Sequence, residues 1–433
     1  MEEIIDGLLK GDTQERAECA KELGVRGEPE CIPYLIDALK DDEPLVRANA
    51  ALALGHMKPE DYVVKALMNI LEDESWVVRH DAAIALGELG FGEAVDSLKE
   101  LYDDDEIEVR KKVVEALGKI GDEKSIQYLE KMIGDDEIEE ELVEALAVNG
   151  AEEGLVKLYG SGGKDIRVKA IKGLAGSTEY KEILLDALKD NSWRVREEAA
   201  RSLKGISDDE VIDALLDALD DEKSYVVIES LRSLGEICNS EHLDNIKELY
   251  NHPESSVREE WAKTLTNIGR DDVFNYLIDA FEIEENPRVL WTLSEAMGKS
   301  CEDPDELIEL YGISEGYDKI YLAAALAWAG ERKSIGFLID CLKDHRWKVR
   351  QKVTESLRGI PFDSLNKTES GRLKRGLLEL LRDPDKWVRV ESIKTLLLLA
   401  EEMDDEDIWA ELFRRKEQEV DEDVAHFLDE SLQ

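Results

Sequence analysis

The sequence predicts an all-α solenoid, a stack of tandem helical hairpins, and three observations carry the prediction. A unit of about 31 residues, seen most clearly as LYDDDEIEVRKKVVEALGKIG at residues 101–121, recurs from end to end. Within it Val109, Val113, Ala116, Leu117 and Ile120 fall at the 3, 4, 7 spacing of one buried helix face, while Gly118 and Gly121 allow close packing and a stop. The length, 433 residues, exceeds one ordinary core and suits a repeat array. A single hairpin cannot bury both its faces, so each needs its neighbours.

Aligned on the leucine seven residues after the arginine of the Val-Arg pair, the copies give Leu23, Leu54, Leu86, Leu117, Leu146, Leu174, Leu203, Leu234, Leu265, Met297, Leu326, Leu357 and Leu396. Successive copies lie 28 to 32 residues apart with one exception of 39. Each unit should hold two helices of roughly a dozen residues joined by short turns. Residues 1–12 read as an N-terminal cap, 13–360 as repeats one to twelve, 361–372 as an inserted loop bearing Pro, Ser and Gly, 373–400 as repeat thirteen, and 401–433 as C-terminal capping helices. Repeats two to four and seven are regular. Repeat five places Glu139 where arginine belongs, repeat six enters through a glycine-rich turn at 160–163, repeat eight has Val227, and repeats ten and eleven depart furthest, with a register uncertain by one residue.

Composition narrows the function. With 102 acidic and 55 basic side chains the formal charge is -47, which opposes binding to phosphate backbones and excludes direct nucleic-acid recognition as an expectation. An acidic surface can attract basic proteins; solubility explains it equally well. Cys19, Cys31, Cys238, Cys301 and Cys341 show no metal-ligand spacing and are odd in number, so a reducing, cytoplasmic setting is expected. The N-terminus lacks the pattern of a signal peptide, and no apolar run approaches a membrane span.

The acidic turn, Val-Arg, paired small residues and Ala-Leu-Gly, repeated thirteen times, resemble HEAT-like repeats of the phycobilisome-lyase type. The resemblance implies a right-handed α-α superhelix whose second helices line the concave side. It further implies a ladder in which each arginine meets the turn acid of a neighbouring repeat: Arg16, Arg47, Arg79, Arg110, Arg167, Arg196, Arg258, Arg350 and Arg389 occupy that position. Trp76, Trp193 and Trp347, three residues before their arginines, read as core plugs at helix starts.

Some enzymes share this repeat. Deoxyhypusine hydroxylase holds iron with His-Glu pairs, and this chain contains none; His56 with His80 and Asp81 is the nearest approach to a ligand set and reads as solvated side chains. No phosphate-binding loop, dinucleotide fingerprint, nucleophile elbow or Cys-x-x-Cys is present. No catalytic residue, metal or cofactor is therefore expected.

What remains is surface. The second-helix positions of repeats ten and eleven carry Trp291, Ile320, Tyr321 and Trp328, with Leu290 replacing a ladder arginine, an aromatic anchor for a partner or, after a one-residue shift of register, core. Glu139, Glu140 and Glu144 of repeat five form an acidic run suited to a Lys- or Arg-rich tail, or simply a solvated face. The expected function is a non-enzymatic scaffold binding a protein or peptide, with a basic one favoured by charge, on an acidic, partly aromatic concave face. The alternative is a lyase-like enzyme subunit or a cofactor or chromophore chaperone.

Overall fold

The computed structural model describes residues 1–58, 60–268 and 273–432. Among the described residues the chain is helical, with no strand, and it divides into two compact units, residues 1–206 and 207–433.

In the first unit the second helices of repeats one to seven, Thr13–Arg26, Pro44–Gly55, Trp76–Leu89, Ile107–Ile120, Glu139–Val148, Lys164–Gly173 and Trp193–Ser202, pack one on the next in chain order. Each brings its marker leucine, Leu23 through Leu203, to zero exposure. Their close approach is set by glycine against alanine. A Cβ placed on Gly24, Gly55 or Gly118 would lie 2.7 Å from an atom of Ala53, Ala85 or Ala145 of the following repeat, so the backbones meet where no side chain intervenes. Gly90 and Gly121 end their helices at φ 71° and 62°, their N–H groups bonding the carbonyls of Leu86 and Leu117.

The first helices are shorter than a dozen residues, and the difference lies in their ends. Val95–Glu100 is six residues of α-helix, extended by 3₁₀ turns at Gly92–Ala94 and Leu101–Asp103. The tighter turns let the chain enter and leave its hairpin without a long loop.

The second unit stacks Ser224–Ile237, Ser255–Ile268, Pro287–Ser300, Gly316–Trp328, Trp347–Ser356 and Lys386–Met403 in the same way. Trp261 is wholly buried there, and its indole N–H donates to the Ile246 carbonyl at 2.8 Å. Two further helices, Glu406–Gln418 and Glu422–Ser431, add Ile408, Leu412, Val424 and Leu428 to the core around Leu396.

The expected loop at 361–372 is corrected. Only a 3₁₀ turn, Phe362–Ser364, and two residues precede the helix Lys367–Leu380. Asn366 accepts the N–H groups of Thr368 and Glu369, and the Glu369 carboxylate accepts the Asn366 N–H at 3.1 Å, a reciprocal cap that starts the helix six residues early. The long spacing to Leu396 is thus a longer first helix of 14 residues.

Candidate partner-binding surfaces

Each regular repeat carries its arginine on the first turn of the second helix and an acid six residues earlier, in the turn between the helices. The arginine reaches forward to the acid of the following repeat. Arg16 donates through Nε and Nη2 to both oxygens of Asp41, Arg47 to Asp73, Arg79 to Asp104, Arg167 to Asp190, Arg258 to Glu284 and Arg350 to Asp383, all at 2.6–3.0 Å. Arg389 reaches Glu419 at 3.2 Å through one nitrogen. Arg110 bonds Glu137, and Arg196 donates to the carbonyl of Asp190, its own turn acid, at 2.9 Å.

Every acid is a node. Asp41 takes Arg16 on its carboxylate, accepts the Glu43 N–H at 3.0 Å, and offers its carbonyl to Arg47 at 2.8 Å. Burial works to raise the Asp73 carboxyl, but the Arg47 bonds, the Ser75 N–H and the nearby positive charges outweigh it and hold the group below the usual carboxylate range. Asp41, held chiefly by the Arg16 bonds, is lowered as well.

At three junctions both rung partners are missing, and at a fourth they are present but turned to other groups. Glu139 stands at an arginine position, and the following turn at 160–163 is Gly-Ser-Gly-Gly with no carboxylate. Val227 is fully buried, and the next turn has His252 in place of the acid; His252 keeps the turn by accepting the Glu254 N–H at 3.1 Å and the Arg258 guanidinium at 2.7 Å on its carbonyl. Leu290 is followed by Ile313. Lys319 replaces the arginine of repeat eleven and lies 4.9 Å over the Tyr311 ring, while Asp344 takes Arg346 of its own turn at 3.0 Å. At the first three junctions the partners disappear together, which leaves no half-rung with an unmatched charge, whereas at the fourth both charged groups remain and each is engaged elsewhere.

The second-helix face differs from the expected acidic surface: the carboxylates of its acidic run, apart from Glu139, are matched by cations. Lys169 bonds Glu140 and Glu144 at 2.8 and 2.7 Å, and Lys111 pairs with Glu141 at 3.1 Å, so the acidic run of repeat five is tied by two lysines of neighbouring repeats. Glu139 is half-buried, and that burial raises its carboxyl above the usual value. Arg232 bridges Glu229 and Glu260, and Glu391 receives Arg358 and Lys394. His80 is engaged by Asp81 at 2.7 Å, and the described residues include no group of three metal-ligating side chains.

The aromatic anchor is likewise corrected. Leu290, Ile320 and Tyr321 are each 7% exposed and belong to the core. Trp291 is half-buried with its ring edge against Tyr321, centroids 4.8 Å apart, and Trp328 is half-buried beneath Lys299 at 5.1 Å. The register itself is kept, with Met297 and Leu326 fully buried; Ile320 and Tyr321 are core because the helix Gly316–Trp328 is apolar on every side from Ile320 onward and its neighbours cover it. Conversely Trp76 and Trp347, expected in the core, are 42% and 37% exposed at their helix starts, and Trp193 is half-buried with Arg194 over its ring.

A run of uncompensated carboxylates lies on the turns between helices. Asp42, Glu43, Glu74, Asp103, Asp105, Glu106 and Asp136 are exposed, and no ion pair engages them among the described residues. They flank the ladder acids of repeats two to five, forming an acidic ridge along the first unit with Trp76 exposed beside it. An indentation of about 350 Å³ opens on this ridge, lined by Tyr102, Asp103, Asp104, Asp105, Arg110 and Asp135, where the Tyr102 hydroxyl donates to Asp135 at 2.7 Å.

The sequence profile described as HEAT repeats matches residues 1–63, 64–147, 152–231 and 225–298. The chain belongs to the HEAT-repeat family. The hairpins of this HEAT-repeat protein continue past residue 298 to the end of the described residues. Its fold is similar to that of the karyopherin Kap121p bound to the extreme C-terminus of the protein phosphatase Cdc14p, at a TM-score of 0.63 and 14% identity over 92% of this chain and 53% of that one. Kap95p, whose binding induces the switch loops of RanGDP to adopt the GTP-bound conformation, gives 0.58 and 14% over 99% and 70%. The CpcE–CpcF complex of phycocyanin lyase from a Nostoc species gives 0.31 and 24% over 47% and 87%. The chain spans about half the length of the Kap121p chain, and at these identities the likeness to the karyopherins establishes the fold. No curated protein sequence matches this chain.

Proposed function

We propose that this HEAT-repeat protein is a non-enzymatic scaffold that holds a basic polypeptide segment along the acidic turn ridge of its first unit. The observation that carries the reading is the division of charge. Glu140, Glu141 and Glu144 of the second-helix face already have lysine partners, whereas the carboxylates of the ridge, from Asp42 to Asp136, face solvent without one. A cationic segment gains most where negative charge is unmatched, and the hollow around Tyr102 offers a place for one side chain. Kap121p, of the same fold, is seen bound to a C-terminal polypeptide segment, which supports a segment as the ligand.

Binding of a labelled Arg- and Lys-rich peptide, followed by fluorescence anisotropy at low and high salt, tests this. Neutralising Asp42, Glu74, Asp105 and Glu106 as Asn or Gln should weaken binding about tenfold, at a few tenths of a kcal/mol per exposed charge, and flatten its salt dependence. Glu140→Gln with Glu144→Gln should leave it unchanged. Equal binding by the ridge variant and the wild type would remove the proposal.

A further inference from the structure

Between Arg332 and Arg382 the sequence holds 13 Lys and Arg against six Asp and Glu, in a chain whose acids outnumber its bases nearly two to one. Five of these cations, Arg332, Lys333, Lys367, Arg375 and Arg382, are exposed on or beside the first helices of repeats twelve and thirteen, Ile335–Cys341 and Lys367–Leu380, which pack side by side. None of the five has a carboxylate partner among the described residues. The acids around them are taken: Asp340 by Arg372 at 2.6 Å, Glu379 by Lys343 at 3.7 Å, and Glu369 by the Asn366 N–H at 3.1 Å. Among the described residues of this stretch, Asp363 is the one exposed acid left without a partner.

The five cations share one side of the unit. Arg332 donates to the Ser364 carbonyl in the turn ahead of Lys367, so the two helix starts carry their charges together. Arg382, whose N–H still bonds the Glu379 carbonyl at 3.1 Å, follows Arg375 by two helical turns, about 10 Å along the axis. The acid groups of the ridge recur once per repeat, at the roughly 8–10 Å spacing of stacked helices, so the steps of the two surfaces agree. The exposed Trp76 ring beside the ridge suits a guanidinium, and the hollow at Tyr102 admits one side chain.

We propose that the acidic ridge of one copy docks on this basic face of a second copy, an inference that rests on the ridge being a receptor for cationic groups. The two surfaces differ, so the contact is head-to-tail: a joined pair keeps one free ridge and one free basic face, and the assembly can pass beyond a dimer. The net charge of -47 opposes self-association at low ionic strength. At about 0.15 M salt the screening length is about 8 Å, and the local match of charge decides. A basic peptide on the ridge displaces the second copy, so ligand and assembly exclude each other.

Sedimentation of the full chain at rising concentration, in about 0.01, 0.15 and 1 M salt, reads the contact. The mean mass should rise with concentration at the middle salt and fall back toward the monomer at both extremes. A basic-face variant, Lys367→Gln with Arg375→Gln and Arg382→Gln, and the ridge variant neutralised at Asp42, Glu74, Asp105 and Glu106 should each associate at least tenfold more weakly, with unchanged melting temperatures. Mixed, the two variants should give a one-to-one dimer and nothing larger, because one intact ridge meets one intact basic face. Lys21→Gln with Lys65→Gln and Lys189→Gln, which changes the net charge as much through exposed lysines of the first unit, should associate as the wild type does. The proposal is overturned if the mass stays monomeric at every salt, if either variant assembles as the wild type does, if the mixture yields no dimer, or if the mass keeps rising to high salt. A wild type that binds the basic peptide yet stays monomeric removes this proposal and leaves the ridge reading standing. A ridge variant that binds the peptide as the wild type does removes the ridge reading whatever the mass.

Discussion

At the level of single residues, the bidentate rungs of the ladder couple positions 23 to 33 residues apart. Arg47 and Asp73 are 8% and 11% exposed, and their bidentate geometry satisfies both groups. Removing one partner strands the other. Arg47→Val should therefore cost about 3 kcal/mol in a urea titration. Pairing it with Asp73→His, after the natural combination of Val227 with His252, should cost at least 1 kcal/mol less than the sum of the single changes. Strict additivity would show that the rung carries no coupling. The arginines were legible in the sequence because they recur at a fixed distance from the marker leucines. Whether a second-helix carboxylate is free was not legible, because its cation comes from another repeat, as Lys169 does for Glu140. Burial was misjudged in both directions for a related reason. Tyr321 and Trp76 occupy helix faces that periodicity identifies, but neighbouring repeats decide which of them is covered.

Among whole helices, spacing is decided by small residues. A Cβ on Gly55 would sit 2.7 Å from the Ala85 Cα, whereas one on Gly336, near the start of Ile335–Cys341, would meet only the end of Arg372 at 3.9 Å. Gly55→Ala should destabilise by about 1–2 kcal/mol, the overlap exceeding the gain in helix propensity. Gly336→Ala should stabilise by about 0.5 kcal/mol. Thermal melts of the two variants check the contrast, and the same sign for both would contradict the packing argument. The second helices could be placed from sequence because the leucine spacing fixes them. The start of Lys367–Leu380 was missed although its signal was present: Asn366 followed three residues later by Glu369 is a helix-start pattern, outweighed in the reading by Pro361, Ser364 and Gly371.

For the molecule as a whole, pH sets two groups of carboxylates against each other. The ladder acids Asp41, Asp73, Asp104, Asp190, Glu284 and Glu419 are lowered in the folded state. Their contribution is complete above the ordinary carboxylate values, about 4, and is lost as pH falls through the lowered folded values. Asp81 and Glu139 act in the opposite sense, since burial raises their carboxyls in the folded state and protonating them as pH falls adds stability. Urea midpoints should accordingly rise slightly from pH 7 to about 5 and fall steeply below about 4. A midpoint still rising at pH 3 would show that the ladder adds little. The stability of such an array is close to a sum over neighbouring repeats. The junctions without a rung, after Glu139, Val227, Leu290 and Lys319, are therefore soft couplings. Pulled along its stack, each unit gives first where a rung is missing and only later where arginine and acid hold, so tension within a unit is released in steps.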